Sequence, residues 1–254
     1  MKISVCGKGG SGKSTLVVLL ANEARARGLR VLVVDSDESN SGLFRMLGFE
    51  EPPIPLMELL GGKRELKRKM NRPNVLAEEQ IGLKDIPPSY ALTKDGLTLV
   101  SIGKILQALE GCACPMGVLS REFLKKLRLA KDEIALVDME AGVEHFGRGV
   151  DVSLDGVLLV VEPSLESMNL AERVKSLAAG MEKKVWAVLN KVTSSALSSR
   201  LREELRRRDI EVIGAIPHDP EVFEACLEGR ALGWGEAARQ AGRVLDFLLQ
   251  ESNG

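Results

Sequence analysis

Several things are scarce in this sequence, and each scarcity removes a class of protein. Only four cysteines occur among 254 residues. That excludes a disulfide-stapled scaffold, and a close cysteine pair in such a chain points to metal binding or redox work. The two histidines, His145 and His218, stand at no ligand-like spacing from the cysteines. No charge dominates: 35 Lys and Arg face 36 Asp and Glu, for a formal net charge of −1. Coating nucleic acid by bulk charge is thereby excluded. No apolar run reaches the ~18 residues that a membrane span needs. "MKISVCG" enters a strand at once, without a signal-peptide pattern, so the expected compartment is the cytoplasm. Repeats and low-complexity tracts are absent. The C-terminal "EAARQAGRVLDFLLQ" is amphipathic but has no basic face, so it is expected to pack on the domain. Neither a nucleic-acid nor a membrane partner is expected.

What is present suits a globular core: 44% hydrophobic and 28% charged residues. The runs "KISVCG", "RVLVVDSD", "LTLVSIG", "EIALVDME", "GVLLVVEP", "KVWAVLNKV" and "EVIGAIP" are apolar throughout. Strands buried on both faces of a parallel sheet read this way. A helix is expected from about Lys13 to Arg27, and "SMNLAERVKSLAAGM" and "LSSRLREELRRRD" have helical spacing with charged faces. The expected fold is a single doubly wound α/β domain over 1–254, its mostly parallel sheet having about seven strands. Residues 50–96 break the alternation with much Pro and charge, and are read as an insertion of short helices and loops. Within it, Lys63, Arg64, Lys67, Arg68, Lys69 and Arg72 are read as a solvated helix face.

Gly7-Lys8-Gly9-Gly10-Ser11-Gly12-Lys13-Ser14 satisfies G-x-x-x-x-G-K-[ST] between a strand and a helix. Glycines let backbone amides converge on phosphate oxygens, and the helix N-terminus adds a favourable dipole. Lys13 is expected to reach the β- and γ-phosphates of ATP, Ser14 to bind Mg²⁺, and Thr15 to bond the α-phosphate. Lys8 is a second lysine in the same loop. It lies too close to Lys13 for both to serve one triphosphate. Pointing outward, it would stabilise a nucleotide held by a second subunit, as an arginine finger does.

Asp35 and Asp37 end the second expected strand, and Asp138 ends another. Carboxylates there lie where open α/β sheets bind ligands. Cys112 and Cys114 are two residues apart, so in an extended segment their thiols point the same way. A disulfide across one residue is strained. A closed zinc site wants four ligands, and two pairs meeting across a two-fold axis would supply them. Thiolates suit Zn²⁺ or Cu⁺, and Ni²⁺ in a flatter geometry. Cys6 and Cys226 are read as core or helix cysteines.

K-G-G-x-G-K-[ST] resembles the deviant Walker A ATPases: chromosome-partition and division-site ATPases, the nitrogenase iron protein and metal-centre maturation factors. The resemblance implies ATP hydrolysis to ADP in a homodimer that sandwiches two nucleotides, with Lys8 acting across it. It implies that Asp37 orients the attacking water and that Asp35 and Asp138 stand in the second shell of Mg²⁺. Gly142 resembles the pivot of a switch loop. It makes Asn190 the adenine-reading residue, with Pro217, His218 and Asp219 lining the base through their backbone. Relatives carry a small residue or proline where Glu140 stands; a carboxylate there would slow hydrolysis or pair across the dimer.

The C-x-C pair, "DMEAGVEHFGRG" and "EPSLESMNLAERVKSLA" together resemble the CooC-type accessory ATPase of carbon monoxide dehydrogenase maturation. The likeness covers 1–48 and 112–222 well and 50–100 poorly. It implies ATP-dependent delivery of nickel to that enzyme, with Ni²⁺ or Zn²⁺ held by Cys112 and Cys114 across the dimer. The alternatives are a partition or positioning ATPase, an iron–sulfur electron-transfer ATPase and a non-enzymatic metal buffer.

Overall fold

Val31, Leu32, Val33 and Val34 are all fully buried, which requires cover on both faces of their strand. The computed structural model describes residues 1–39, 41–69, 75–104 and 114–253. Among them the chain runs β1 (Lys2–Gly7), α1 (Lys13–Ala26), β2 (Arg30–Ser36), α2 (Leu43–Met46), α3 (Leu56–Leu59), α4 (Gly62–Lys69), β3 (Leu92–Lys94), β4 (Leu97–Ser101) and α5 (Cys114–Lys126). It continues as β5 (Glu133–Met139), α6 (Glu144–Gly147), β6 (Gly156–Val161), α7 (Leu165–Ala179), β7 (Lys184–Val192), α8 (Ser195–Arg206), β8 (Glu211–Pro217), α9 (Pro220–Glu228) and α10 (Glu236–Asn253). The sheet has eight strands in the order β3-β4-β2-β5-β1-β6-β7-β8. Every pairing is parallel except β3 with β4.

All seven expected strands are present. The eighth, β3, lies inside the segment read as helices and loops and corrects that reading. Its cause is local. Asp95 and Gly96 both have left-handed φ, 48° and 79°, and a two-residue turn of that hand matches the twist of a hairpin.

Two apolar clusters cover the sheet. Side chains alternate along β2, so Val31 and Val33 join one cluster and Leu32 and Val34 the other. On the first face lie Leu16 to Leu20 of α1 and Val244, Leu245 and Leu248 of α10. The C-terminal helix therefore packs on the domain, as its amphipathic pattern requires. The second face takes Leu119 and Phe123 of α5, and also Leu56, Met57, Leu66, Ile81 and Ile86 from the 50–96 segment. Leu66 of α4 is fully buried, whereas Arg64, Lys67 and Arg68 of the same helix are exposed. The basic side of α4 is thus mainly solvated, though Lys69 Nζ bonds Leu60 O at 3.2 Å. Arg72 lies outside the described residues.

The order β2-β5-β1 decides where chemistry can occur. Register places Asp35 beside Asp138, and Asp138 beside Val5, two residues before Gly7. The C-terminal ends of three strands therefore deliver the glycine loop and the carboxylates to one edge.

Candidate nucleotide-binding site

The loop between β1 and α1 is closed by Ser11 N–H donating to Lys8 O at 3.1 Å. Gly12 caps α1 with φ +96° and provides no side-chain cap. The first-turn amides of α1 are thus left for an anion, the condition for phosphate binding. A side chain at Gly12 would also overlap Asn190 Nδ2. Gly9 faces Ala141 of the loop after β5, and Gly142 N–H donates to Gly7 O at 3.2 Å. Gly10 also has positive φ. Lys13 is buried, and its Nζ reaches back to Lys8 O at 3.5 Å. The Ser11 hydroxyl is buried without a partner. Thr15 Oγ1 lies 3.9 Å from Cys226 Sγ of α9.

Beneath the loop, Ser14 Oγ donates to Asp138 Oδ2 at 2.5 Å. Asp138 and Asp35 each keep one buried carboxylate oxygen, Oδ1, without a partner. Burial, reinforced by the neighbouring Asp35 charge, pushes the Asp138 carboxyl up to about 7. Burial also raises Asp35, to about 6, although Lys104 opposes it. Unpaired oxygens of crowded carboxylates beside a serine hydroxyl are a donor set suited to a hard dication with its water shell. The residues fit Mg²⁺: Ser14 would hold it, with Asp35 and Asp138 around it. Asp37 Oδ1 accepts from Ser39 N–H at 2.9 Å and from Ser39 Oγ at 2.7 Å.

Lys104 was not flagged by any sequence motif. From the chain just beyond β4, its Nζ lies 2.7 Å from Asp35 Oδ2 and donates to Asp37 O at 2.5 Å. Nor did pattern reveal Glu162, which Lys8 Nζ approaches to 2.8 Å and Lys191 Nζ to 3.3 Å. Lys191 Nζ also donates to Gly10 O at 2.6 Å. Glu162 stands at the end of β6, a position whose strand-end carboxylate was the available signal.

Asn190 is buried at the end region of β7 and donates Nδ2–H to Ser11 O at 2.8 Å. Asp219 caps α9, Oδ1 accepting from Glu221 N–H at 3.0 Å, and its Oδ2 accepts from Ala237 N–H at 3.2 Å. His218 N–H donates to Val192 O at 3.1 Å, and Pro217 pairs in register with Val192. The candidate base-lining turn is therefore pinned to the strand that carries Asn190.

Glu140 pairs within its own chain. Arg148 Nη1 lies 2.5 Å from Glu140 Oε1 and 3.5 Å from Glu38 Oε1. His145 Nδ1 meets Asp151 Oδ2 at 2.7 Å, and Ser4 Oγ donates to Asp151 Oδ1 at 3.0 Å. His145 is thus a buried histidine, held by Asp151, just beyond the loop that follows β5. Cys112 lies outside the described residues. Cys114 is exposed at the start of α5 and is disulfide-bonded, so a thiolate ligand there requires its reduced form. Cys6 and Cys226 are free thiols, and burial pushes the Cys6 thiol strongly up, leaving it inert. Among the described residues no group of three or more His, Cys, Asp or Glu side chains is arranged to hold a metal ion.

A family model described as the CobQ/CobB/MinD/ParA nucleotide binding domain matches residues 3–232. The chain belongs to this family. An uncharacterized ATP-binding protein of Methanocaldococcus jannaschii is 42% identical over 237 residues, covering 91% of this chain and 94% of its own. The carbon monoxide dehydrogenase accessory protein CooC of Rhodospirillum rubrum is 31% identical over 234 residues, covering 90% and 89%. Among solved structures, the septum site-determining protein MinD of Pyrococcus horikoshii, complexed with Mg-ADP, superposes with a TM-score of 0.73 at 18% identity, covering 99% and 96%. That likeness shows the fold. This CobQ/CobB/MinD/ParA-type domain is therefore a P-loop nucleotide-binding domain with a mostly parallel sheet of eight strands. The CooC-type resemblance holds at the level of the family, because the more similar relative carries no assigned role. Among the described residues, no helix is long and apolar enough to cross a membrane.

Proposed function

We propose that this chain is an ATPase that pairs with a second copy of itself and couples ATP binding and hydrolysis to the handling of nickel for insertion into carbon monoxide dehydrogenase. One observation carries the ATPase part: Asp138 accepts from the Ser14 hydroxyl beneath an uncapped helix N-terminus and lies in register beside Asp35, and each of these buried carboxylates keeps an unpaired oxygen. Support for the metal part comes from the C-x-C pair together with the 31% identity to CooC over most of both chains.

Lys13 holds the β- and γ-phosphates, and the amides of the loop cradle them. Mg²⁺, held by Ser14 with Asp35 and Asp138 around it, would supply charge neutralisation at the phosphates when bound. Asp37 accepts a hydrogen bond from the attacking water and aligns it with the γ-phosphorus. Lys8 leaves Glu162 and stabilises charge on the partner's nucleotide. Closure of the dimer brings the Cys112–Cys114 pairs of two chains into or out of a shared four-thiolate site for the nickel cargo. For a near-complete swing, ATP must bind the closed dimer more tightly than the open one by ~5.5 kcal/mol.

The test has two arms. Phosphate release is measured with and without Mg²⁺, and nickel is titrated into the reduced protein and into a Cys112→Ala/Cys114→Ala variant. Mg²⁺-dependent turnover is expected, with metal binding lost in the variant. Undiminished stoichiometric nickel binding by the variant removes those thiols from the site. The partition or positioning alternative has the support of the family match and of fold likeness, at 18–22% identity for the MinD structures. A brown anaerobic protein would favour the iron–sulfur alternative.

A further inference from the structure

Three residues, Lys104, Ser120 and Arg148, connect α5, the helix that begins at Cys114, and the chain that precedes it to the carboxylate-bearing strand ends of the nucleotide site. On the N-terminal side of the cysteine pair, Lys104 Nζ grips Asp35 Oδ2 at 2.7 Å and Asp37 O at 2.5 Å. On α5 itself, Ser120 Oγ shares a hydrogen bond of 2.9 Å with Ser36, the residue between those two aspartates. The third connection is Arg148. Its methylenes cover Gly117 on the first turn of α5, so closely that a Cβ there would lie 2.5 Å from Arg148 Cδ. Its guanidinium meets Glu140 and Glu38, and Arg121 of α5 donates to its carbonyl at 3.1 Å. Glu38 follows Asp37 directly, and Glu140 is two residues beyond Asp138.

We infer that Lys104 and Arg148 are positioning residues that transmit the state of the nucleotide site to α5 and Cys114. The inference rests on the metal-handling reading for its purpose, but not for its test.

The electrostatics give the transmission a cause. Lys104 and Asp35 are 14% and 7% exposed, so water and salt screen this pair far less than a surface one. A dication entering beside Asp35 and Asp138 competes with the Lys104 ammonium for the same carboxylate. Compensation of Asp35 then no longer depends on Lys104, and the Asp35–Asp37 strand end, which Ser36 joins to Ser120 of α5, is free to shift. On the other side, any shift of Glu38 or Glu140 pulls the guanidinium whose methylene stem lies over Gly117. Two discrete arrangements of a partly buried ion-pair network are the kind of element that carries coupling between sites.

The experiment uses the reduced full chain in a Cys112→Ser/Cys226→Ser background. Cys6 is buried, so Cys114 is then the accessible thiol, and no shared metal site remains. The rate of alkylation at Cys114 is measured without nucleotide, with saturating Mg·ADP and with a saturating non-hydrolysable Mg·ATP analogue. In the parent, nucleotide is expected to change the rate by about fivefold or more, the lower end of typical couplings. Lys104→Met, Arg148→Met and Gly117→Ala are each expected to reduce that response to less than about twofold. For Arg148→Met and Gly117→Ala, nucleotide affinity stays at the parent value, which a general structural defect would not allow. Arg148→Lys, keeping one ion pair, is expected to restore part of the response. A parent rate indifferent to nucleotide, or Arg148→Met and Gly117→Ala proteins that respond like the parent, overturns the inference. A native protein that binds no nickel while Cys114 still responds removes the metal reading and leaves this one standing.

Discussion

Lys8 Nζ lies 2.8 Å from Glu162 Oε1, so the lysine expected to act on a partner's nucleotide is held by its own chain. The same bond, with Lys191 adding to it, keeps the Glu162 carboxyl below the usual carboxylate range. The Lys8 side chain is 38% exposed, and an ion pair that open to solvent is a weak restraint. We expect Glu162→Gln to strengthen nucleotide-dependent self-association by at most about fivefold, read by analytical ultracentrifugation with a non-hydrolysable ATP analogue. A Lys8→Ala protein should lose that association. Normal dimerisation and turnover by Lys8→Ala would remove its role across the interface.

A pH dependence follows from the buried carboxyls. Asp138 and Asp35 are raised to about 7 and about 6, above the ordinary carboxylate range of the unfolded chain. Between about pH 4 and pH 7 the native state therefore binds more protons than the unfolded one, and stability of the nucleotide-free protein falls as pH rises through that window. Mg²⁺ requires the ionised forms, so Mg·nucleotide affinity should rise with pH across the same range. Calorimetry in two buffers of different ionisation enthalpy should show proton release near pH 6 that fades above about pH 8. Asp138→Asn should abolish most of that release. At high pH it should also stabilise the free protein by about 1–3 kcal/mol.

Asn190 and Gly12 form a coupled pair. Asn190→Ala removes the bond to Ser11 O and should weaken ATP binding by about tenfold, the consequence of a buried bond lost at the loop. Gly12→Ala combines a left-handed φ with overlap on the Asn190 amide, and should cost more. The double variant should lose less than the sum of the two, because removing the amide makes room for the methyl. Strict additivity in fluorescent-nucleotide titrations would show that the two residues do not restrict each other.

Leu66 sits on α4, in the segment that the sequence presents as an insertion, yet it is fully buried in the core that also holds Phe123 and Val137. Leu66→Ala should destabilise the protein by about 2–5 kcal/mol in one cooperative transition. A separate low-temperature transition, with the main one unmoved, would show that residues 50–96 unfold on their own.

Local chemistry was legible where the chain itself spells it out. The eight residues from Gly7 to Ser14 carry their own turn geometry, and seven uniformly apolar runs identify strands without any partner being known. The strand β3 was readable too: Asp95-Gly96 is a strong hairpin signal, but Thr93 and Lys94 are exposed and dilute the apolar pattern. The carboxylates at strand ends could be named as site candidates, though not their counter-charges.

By itself, then, the sequence determined the phosphate loop, the seven main strands and the standing of Asp35, Asp37 and Asp138 as carboxylates at strand ends, because each follows from neighbours a few residues away. Only the tertiary structure decided that Lys8 is tied to Glu162, 154 residues distant, and that Lys104 reaches across 67 residues to Asp37. The physical reason is the sheet order. Along β4-β2-β5-β1-β6, strands adjacent in space are not adjacent in the chain, and hydrogen bonds between strands set which charges meet at their ends.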